Sequence, residues 1–389
     1  MRILFTFAGR SGHFNPLVPI ARAAQAAGHT VVFAGQQAMV PMIEAAGFTA
    51  FATSKSNIAP TERIPLQKVD LQREDEVMRD GFASRLARKH TTETMNLCAT
   101  WQPDLIVCDE VDFGALIAAE KLGLPYASVL VILEGSFIRH ELVSDALNEV
   151  RAEFDLPPDP DLTMLSRYLV LSPAPPSYRN PAYPLPATAH SLHPLPDAKA
   201  EGSLPSWVEA LPERPTVYFT LGTVFPLESG DLFQRVLAGL RDLPINLIVT
   251  VGREIDPAEF GEQPAHIHIE RYIPQALILP RCQATVTHGG SGSVIGALAH
   301  GLPMVLIPMG ADQPQNAARC EALGVARVLD AVDATPEMIR EAVGDVLENP
   351  RYRQAAQRLR DEIRVLPPPA YAVALLERLV REKRPLYRV

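Results

Sequence analysis

Cysteine is scarce: Cys98, Cys108, Cys282 and Cys320 stand far apart, without a C-x-x-C pair, in a chain of 389 residues. That spacing gives no zinc framework and fits a reducing compartment, and the four thiols read as small buried hydrophobes. Long apolar runs are also lacking. The N-terminal run Ile3-Leu4-Phe5-Thr6-Phe7 is shorter than a signal-peptide core, and nothing approaches the roughly 20 apolar residues of a membrane helix, so a cytoplasmic protein with no membrane span is expected. Basic charge is outnumbered, with 36 Lys+Arg against 45 Asp+Glu. The resulting net charge of −9 disfavours nucleic acid and anionic membranes as partners and leaves a small molecule.

The 47% hydrophobic and 21% charged fractions are ordinary for a globular protein, and the length exceeds what one core usually serves, so two domains are expected. Short apolar runs alternate with helix-length amphipathic segments, the pattern of parallel sheets covered on both faces. The alternation predicts strands at 2–7, 30–34, 105–109 and 126–131, and, further on, at 216–221, 246–251, 284–287 and 303–307. Asn15-Pro16 reads as a helix start with Gly28 as its C-cap, and Phe113 to Gly123 as another strand-to-helix unit. Helices are also expected from Thr335-Pro336 to Leu347 and from Tyr371 to Arg381. Prolines crowd 172–215, which reads as an extended linker. The expected architecture is therefore α/β: doubly wound, Rossmann-like domains at 1–205 and 216–367 facing across a cleft, with 368–389 packing back on the first.

Chemistry concentrates in a few places. Thr287-His288-Gly289-Gly290-Ser291-Gly292-Ser293 follows a strand and opens a helix. Glycines there let backbone approach a ligand, and the N–H groups of the helix end attract phosphate oxygens. Ser291, Ser293 and His288 add uncharged donors, so a diphosphate could be held without a lysine. The segment has neither the Gly-Lys-Ser/Thr of a phosphate loop nor G-x-G-x-x-G, which disfavours a nicotinamide-linked reductase. Read for geometry alone, it is a tight strand-to-helix turn. Asp312 and Gln313, at the end of a later strand, offer an acceptor and an amide suited to sugar hydroxyls; taken alone, Asp312 reads as a helix N-cap. His13 lies in a glycine-containing loop after the first strand, and Asp109 ends a buried strand, with Glu110 and Asp112 close by. Asp159-Pro160-Asp161 imitates a metal motif but reads as a solvated turn, and His266-Ile267-His268 as the outer face of a strand; no metal site is expected.

The order H-G-G-S-G-S, G-x-P-x-V-x-x-P and D-Q-P-x-N-A, at His288–Ser293, Gly301–Pro308 and Asp312–Ala317, resembles the donor block of family 1 glycosyltransferases of the GT-B fold. The resemblance extends to Tyr218–Thr223, Arg271–Gln275 and Gly12–Pro16, and so covers nearly the whole chain. It implies an inverting, metal-independent O-glycosyltransferase of the hexosyltransferase class, without a cofactor beyond a nucleotide-sugar cosubstrate. His288, the backbone of Gly290, Ser291 and Gly292, Ser293 and Thr223 would hold the diphosphate, and Asp312 and Gln313 the sugar. Tyr272 would stack on the base, with Ile273 and Gln275 near it. Plant relatives that use UDP-sugars have glutamate where this chain has Gly296, which favours a dTDP-sugar while leaving UDP open. Bacterial relatives that decorate macrolide, polyketide and enediyne natural products are similar to this chain there.

The resemblance makes His13 the general base for an acceptor hydroxyl, since neutral imidazole is available near its unperturbed pKa of about 6.5. Asp109 would orient it, with Glu110 and Asp112 as alternatives. Read alone, His13 is a loop or core histidine. The expected partners are the donor and a small lipophilic acceptor, lined by Met78, Phe82, Ile132, Phe137 and Leu142 unless these are core, in a monomer or homodimer. Rival readings are a sugar-nucleotide epimerase or hydrolase on the same fold and a non-catalytic auxiliary of a partner transferase.

Overall fold

The computed structural model describes residues 1–54, 63–194, 203–222 and 225–388. The chain divides into two compact units, one of Met1–Asn57, Leu71–Asp197 and Leu366–Val389, the other of Ile58–Asp70 and Ala198–Val365. Among the described residues no helix is long and apolar enough to cross a membrane.

The first unit carries a parallel sheet of β1 (Arg2–Thr6), β2 (Thr30–Gln36), β3 (Thr49–Ser54), β4 (Leu105–Asp109), β5 (Tyr126–Val129), β6 (Leu169–Ser172) and β7 (Ala189–Ser191), in the order β3-β2-β1-β4-β5-β6-β7. β4 is buried at every residue, as a strand covered by helices on both faces must be. The order reverses between β1 and β4, where Ile3 pairs with Leu105 and Thr6 with Cys108. The crevice beyond the carboxyl ends of such neighbouring strands is the usual ligand position in a wound sheet. The second unit repeats the plan with β8 (Thr216–Thr220), β9 (Asn246–Thr250), β10 (Ile267–Glu270), β11 (Ala284–Thr287), β12 (Met304–Leu306) and β13 (Ala326–Val328), ordered β10-β9-β8-β11-β12-β13. Its reversal lies between β8 and β11. Each unit has its own apolar core, built around Phe5, Phe33, Val107 and Leu116 in one and Phe219, Val249, Val286 and Ile339 in the other.

Several expectations are corrected. β6 ends at Ser172, where the proline-rich stretch read as linker starts, and β7 lies within that stretch; Val170 pairs with Ala189, and strands of four and three residues are too short to show alternation. The segment Ile58–Asp70, expected in the first domain, belongs to the second unit. There the Ile64 N–H donates to the Leu227 carbonyl at 2.7 Å, the Gly230 N–H donates to the Ile64 carbonyl, and Leu66 packs on the second core. The second unit also begins at Ala198, upstream of the expected boundary. Asn15-Pro16 does not start a helix: one turn spans Ser11–Phe14, and the longer helix begins at Val18 with Pro19 in its first turn. The helix Pro369–Glu382 packs in the first core through Ala372, Leu376 and Leu379, and the following Leu386 N–H reaches the Tyr168 carbonyl at 2.8 Å.

Candidate functional site

At the first reversal, β1 delivers the turn Ser11–Phe14 and β4 ends in Asp109, which is fully buried. His13 Nδ1 lies 3.2 Å from Asp109 Oδ2. Both carboxylate oxygens are held by backbone: Ala8 N–H donates to Oδ2 at 2.8 Å, and Val111 and Asp112 N–H donate to Oδ1 at 2.8 and 2.9 Å. With Nδ1–H donating to Asp109, the basic lone pair of the imidazole falls on Nε2. The His13 side chain is 23% exposed, so solutes reach it. Gly9 clears its place: a Cβ there would lie 2.1 Å from His13 Cδ2. Phe82 lies nearly parallel to the imidazole, ring centres 6.3 Å apart. It comes from Val77–Leu86, a wider-wound stretch in which Ala87 N–H reaches back five residues to the Phe82 carbonyl.

The neighbours of Asp109 have other employment. Asp112 caps the helix Phe113–Leu122 through Ala115 N–H at 3.3 Å and lies 3.0 Å from His90 Nδ1. Glu110 accepts from the amides of Val131 and Ile132, and burial raises its pKa to about 7 against the pull of Arg179 and those bonds. Of the acceptor candidates, Met78, Ile132 and Phe137 are buried in the core, Leu142 packs against it, and Phe82 stands beside His13.

At the second reversal β11 delivers His288, and Gly290 is the N-cap of the helix Ser291–Ala299. Gly289 needs its φ of 89° for the turn, and Gly290 offers no side chain to cap the first-turn amides. Burial lowers the His288 pKa to about 4, so the ring is neutral at physiological pH. Its Nδ1 lies 3.1 Å from Thr287 Oγ1; a hydroxyl donating there puts the ring proton on Nε2. Glycines flank this ring as well: a Cβ on Gly222 would come within 2.6 Å of Cε1, and one on Gly290 within 2.7 Å of Nε2.

Around this turn the hydroxyl and carboxylate candidates are tied together. Asp312 Oδ2 accepts from Ser291 Oγ at 2.7 Å and from Asn316 Nδ2 at 2.8 Å, and its side chain does not cap the helix it precedes. The Ser291 hydroxyl expected to face the diphosphate is thus donated to Asp312. Gln313 is buried, with Oε1 accepting from Met309 N–H at 2.8 Å, so only its amide nitrogen is left for a sugar. Gln275 Nε2 lies 3.5 Å from Ser293 Oγ. Ile273 is buried and Tyr272 half exposed, with the Arg253 guanidinium 4.6 Å from its ring centre. Gly292 is exposed at the helix start, and Gly296, inside that helix, faces Leu279 and Gln275. Thr223 lies outside the described residues.

Asp159, read as part of a solvated turn, is buried and accepts from Thr163 N–H and Oγ and from Met164 N–H, a local clamp. His268 stacks on Trp207 with ring centres 3.8 Å apart. Among the described residues no cluster of metal-ligating side chains forms. Sequence reasoning missed Gly9, Gly222 and the His90–Asp112 pair. A glycine four residues before His13 was a visible signal, but what it makes room for is a tertiary fact.

Residues 22–222 match the N-terminal domain of the family described as erythromycin biosynthesis protein CIII-like, and residues 234–379 match its C-terminal domain. The 3-alpha-mycarosylerythronolide B desosaminyl transferase of Saccharopolyspora erythraea is 27% identical, covering 99% of this chain and 99% of its own. The L-demethylnoviosyl transferase of Streptomyces niveus is 29% identical with the same coverage. Among solved structures, glycosyltransferase VinC in complex with dTDP superposes with a TM-score of 0.77 at 25% identity, over 98% of this chain and 100% of that one. Spinosyn rhamnosyltransferase SpnG complexed with thymidine diphosphate gives 0.81 at 23% identity, over 97% and 100%, and supports the shared GT-B fold.

Proposed function

We propose that this chain, which belongs to the erythromycin biosynthesis protein CIII-like family and is a glycosyltransferase, moves a sugar from a dTDP- or UDP-sugar to a hydroxyl of a small lipophilic acceptor, with inversion and without a metal ion. The observation that carries the reading is the 3.2 Å bond from His13 to a buried Asp109 whose oxygens are held by three backbone N–H groups. His13 Nε2 takes the acceptor proton as that oxygen attacks the anomeric carbon from the face opposite the leaving group. The anomeric bond to the diphosphate breaks, and the nucleoside diphosphate leaves with the electron pair. Asp109 orients the ring and stabilises the imidazolium that forms.

The leaving charge is met by uncharged groups: the neutral His288 N–H, the helix end at Ser291–Ser293 and the Ser293 hydroxyl. Asp312, held in place by Ser291 and Asn316, accepts from a sugar hydroxyl. Tyr272 is exposed enough to stack on the base. Gly296 in place of an acidic residue, together with the dTDP in the VinC complex, favours dTDP over UDP. The acceptor is of polyketide or related aglycone type, as the names of the relatives suggest.

The test pairs calorimetry with turnover in buffer containing a chelator. His13→Ala is expected to bind dTDP like the parent and to lose roughly 10²–10⁴-fold in transfer, the range for a general base. Near-normal turnover in that variant, or a product with retained anomeric configuration, overturns the mechanism.

A further inference from the structure

Beside the His13–Asp109 pair stands a second histidine–carboxylate pair. His90, on the helix Ala87–Trp101, lies with Nδ1 3.0 Å from Asp112 Oδ1; both side chains are buried, at 4% and 1% exposure. Asp112 is also bonded to Asp109 twice: its N–H donates to Asp109 Oδ1 at 2.9 Å and to the Asp109 carbonyl at 3.1 Å. One short segment of backbone therefore carries both carboxylates, and any shift of Asp112 moves a donor on which Asp109 depends.

Gly114 brings His90 there. A Cβ at Gly114 would lie 2.5 Å from the Ala87 carbonyl oxygen and 2.6 Å from His90 Cβ, so the helices Ala87–Trp101 and Phe113–Leu122 meet at a distance that only glycine permits. The pair is not a saturated structural knot. His90 Nε2 and Glu93 Oε2 are buried atoms without a hydrogen-bond partner among the described residues. Thr6 lies against Asp112, and Glu93 faces both His90 and Asp112. Buried polar atoms left unpaired lower stability, so their retention beside Asp109 calls for an explanation.

We propose that His90 and Asp112 form a buried ion pair that positions Asp109 and, by keeping the charge next to it balanced, sets the proton affinity of His13. They are positioning residues, and the inference rests on His13 being the base. Burial pulls the His90 pKa down, but the charge and hydrogen bond of Asp112, with Glu93 and Asp109, outweigh it and raise the pKa above its ordinary value. Burial likewise opposes charge on Asp112, and His90 holds its pKa below the usual carboxylate range.

Other charges around the two pairs are matched. Arg88, on the His90 helix, is held by Glu149 and Glu153 of the neighbouring helix; Lys89 acts on Glu93; Asp80, beyond Phe82, is bonded to Arg79 and approached by Arg85. Glu110 is faced by Arg179. The charge that a His90 substitution leaves uncompensated is therefore that of Asp112.

The test is the pH profile of kcat/KM for the full-length enzyme with dTDP-sugar and acceptor. In His90→Gln the new side-chain amide can still donate to Asp112, and the Ala115 N–H bond is unchanged, so the carboxylate keeps its charge without a positive partner; that charge stabilises the His13 imidazolium and moves the acid limb to higher pH by roughly half a unit. Asp112→Asn removes that charge, and burial then leaves His90 neutral. The limb of the double variant is expected back at the wild-type position, which a packing role would not produce. If His13→Ala leaves a wild-type limb, the base reading fails. If the limb belongs to His13 but does not move in folded His90→Gln, the positioning proposal fails alone. Imidazole 15N NMR of the wild-type protein reads the pair without any substitution: His90 is expected to keep its second ring proton to higher pH than an unperturbed imidazole, and a ring that loses it at or below the ordinary pKa overturns the proposal.

Discussion

Two histidines, each beside the reversal of sheet order in its own unit, show how similar settings yield opposite electrostatic surroundings. His13 and His288 each follow a strand beside the reversal of sheet order, and each occupies space kept open by glycine, Gly9 for the one and Gly222 and Gly290 for the other. They differ in their second partner. His13 meets a buried carboxylate and remains partly exposed, so a proton taken on Nε2 is balanced by Asp109. His288 meets a threonine hydroxyl and is buried, which holds it neutral with a pKa of about 4. An imidazole beside a carboxylate is suited to accept a proton; one buried beside a hydroxyl is suited to donate a hydrogen bond to an anion without changing charge.

The comparison breaks most completely at the glycines. Gly9→Val displaces the His13 ring, and transfer is expected to fall roughly 10²–10⁴-fold with dTDP affinity retained, as calorimetry and turnover would show together. Gly222→Val acts at the other ring and adds strain at a φ of 74°; dTDP affinity, not the chemical step, is expected to suffer, by roughly tenfold or more for a lost hydrogen bond to a charged ligand. Equal losses of binding in both variants would erase the division of labour.

A pH titration of stability sharpens the contrast. The unfolded His288 titrates near 6.5 and the folded one near 4, so the folded state binds fewer protons between those values. Stability is then fully present above pH 6.5 and is lost as pH falls through 4, by about 3 kcal/mol in total. Denaturant unfolding of His288→Asn is expected to lack that dependence. The smallest effect belongs to Glu110→Gln. Its amide oxygen can still accept from Val131 and Ile132, so stability below pH 4.5, where the wild-type carboxyl is neutral, is expected to change by no more than about 1 kcal/mol. The wild-type carboxyl is raised to about 7 from about 4.5, so its contribution is present below pH 4.5 and declines toward pH 7 and above; this decline disappears in the glutamine variant.

Strands of four or five mostly buried residues, such as β1, β4, β8, β9 and β11, were legible because burial leaves a short run with few charged or strongly polar residues. β7 and β13, at three residues each, and β3 at its sheet edge left no such mark. The motif around His288 marked a candidate anion cradle but not that the Ser291 hydroxyl is donated to Asp312 or that Gln313 turns inward to Met309. Those bonds join residues that the chain separates and only packing brings together. The resemblance favoured Asp109 as the partner of His13 but left Glu110 and Asp112 open, because three carboxylates within four positions differ only in where β4 ends and its following helix begins.

Residue order alone was enough for two wound α/β units, a glycine-rich turn suited to phosphate and a histidine after the first strand, because periodicity, glycine placement and motif spacing are local properties. The pairing of Asp109 with His13, the neutrality of His288 and the His90–Asp112 pair were decided by the fold. Each depends on distance and burial between residues as far apart as 96 positions for His13 and Asp109, and desolvation and charge pairing exist only once those residues have met.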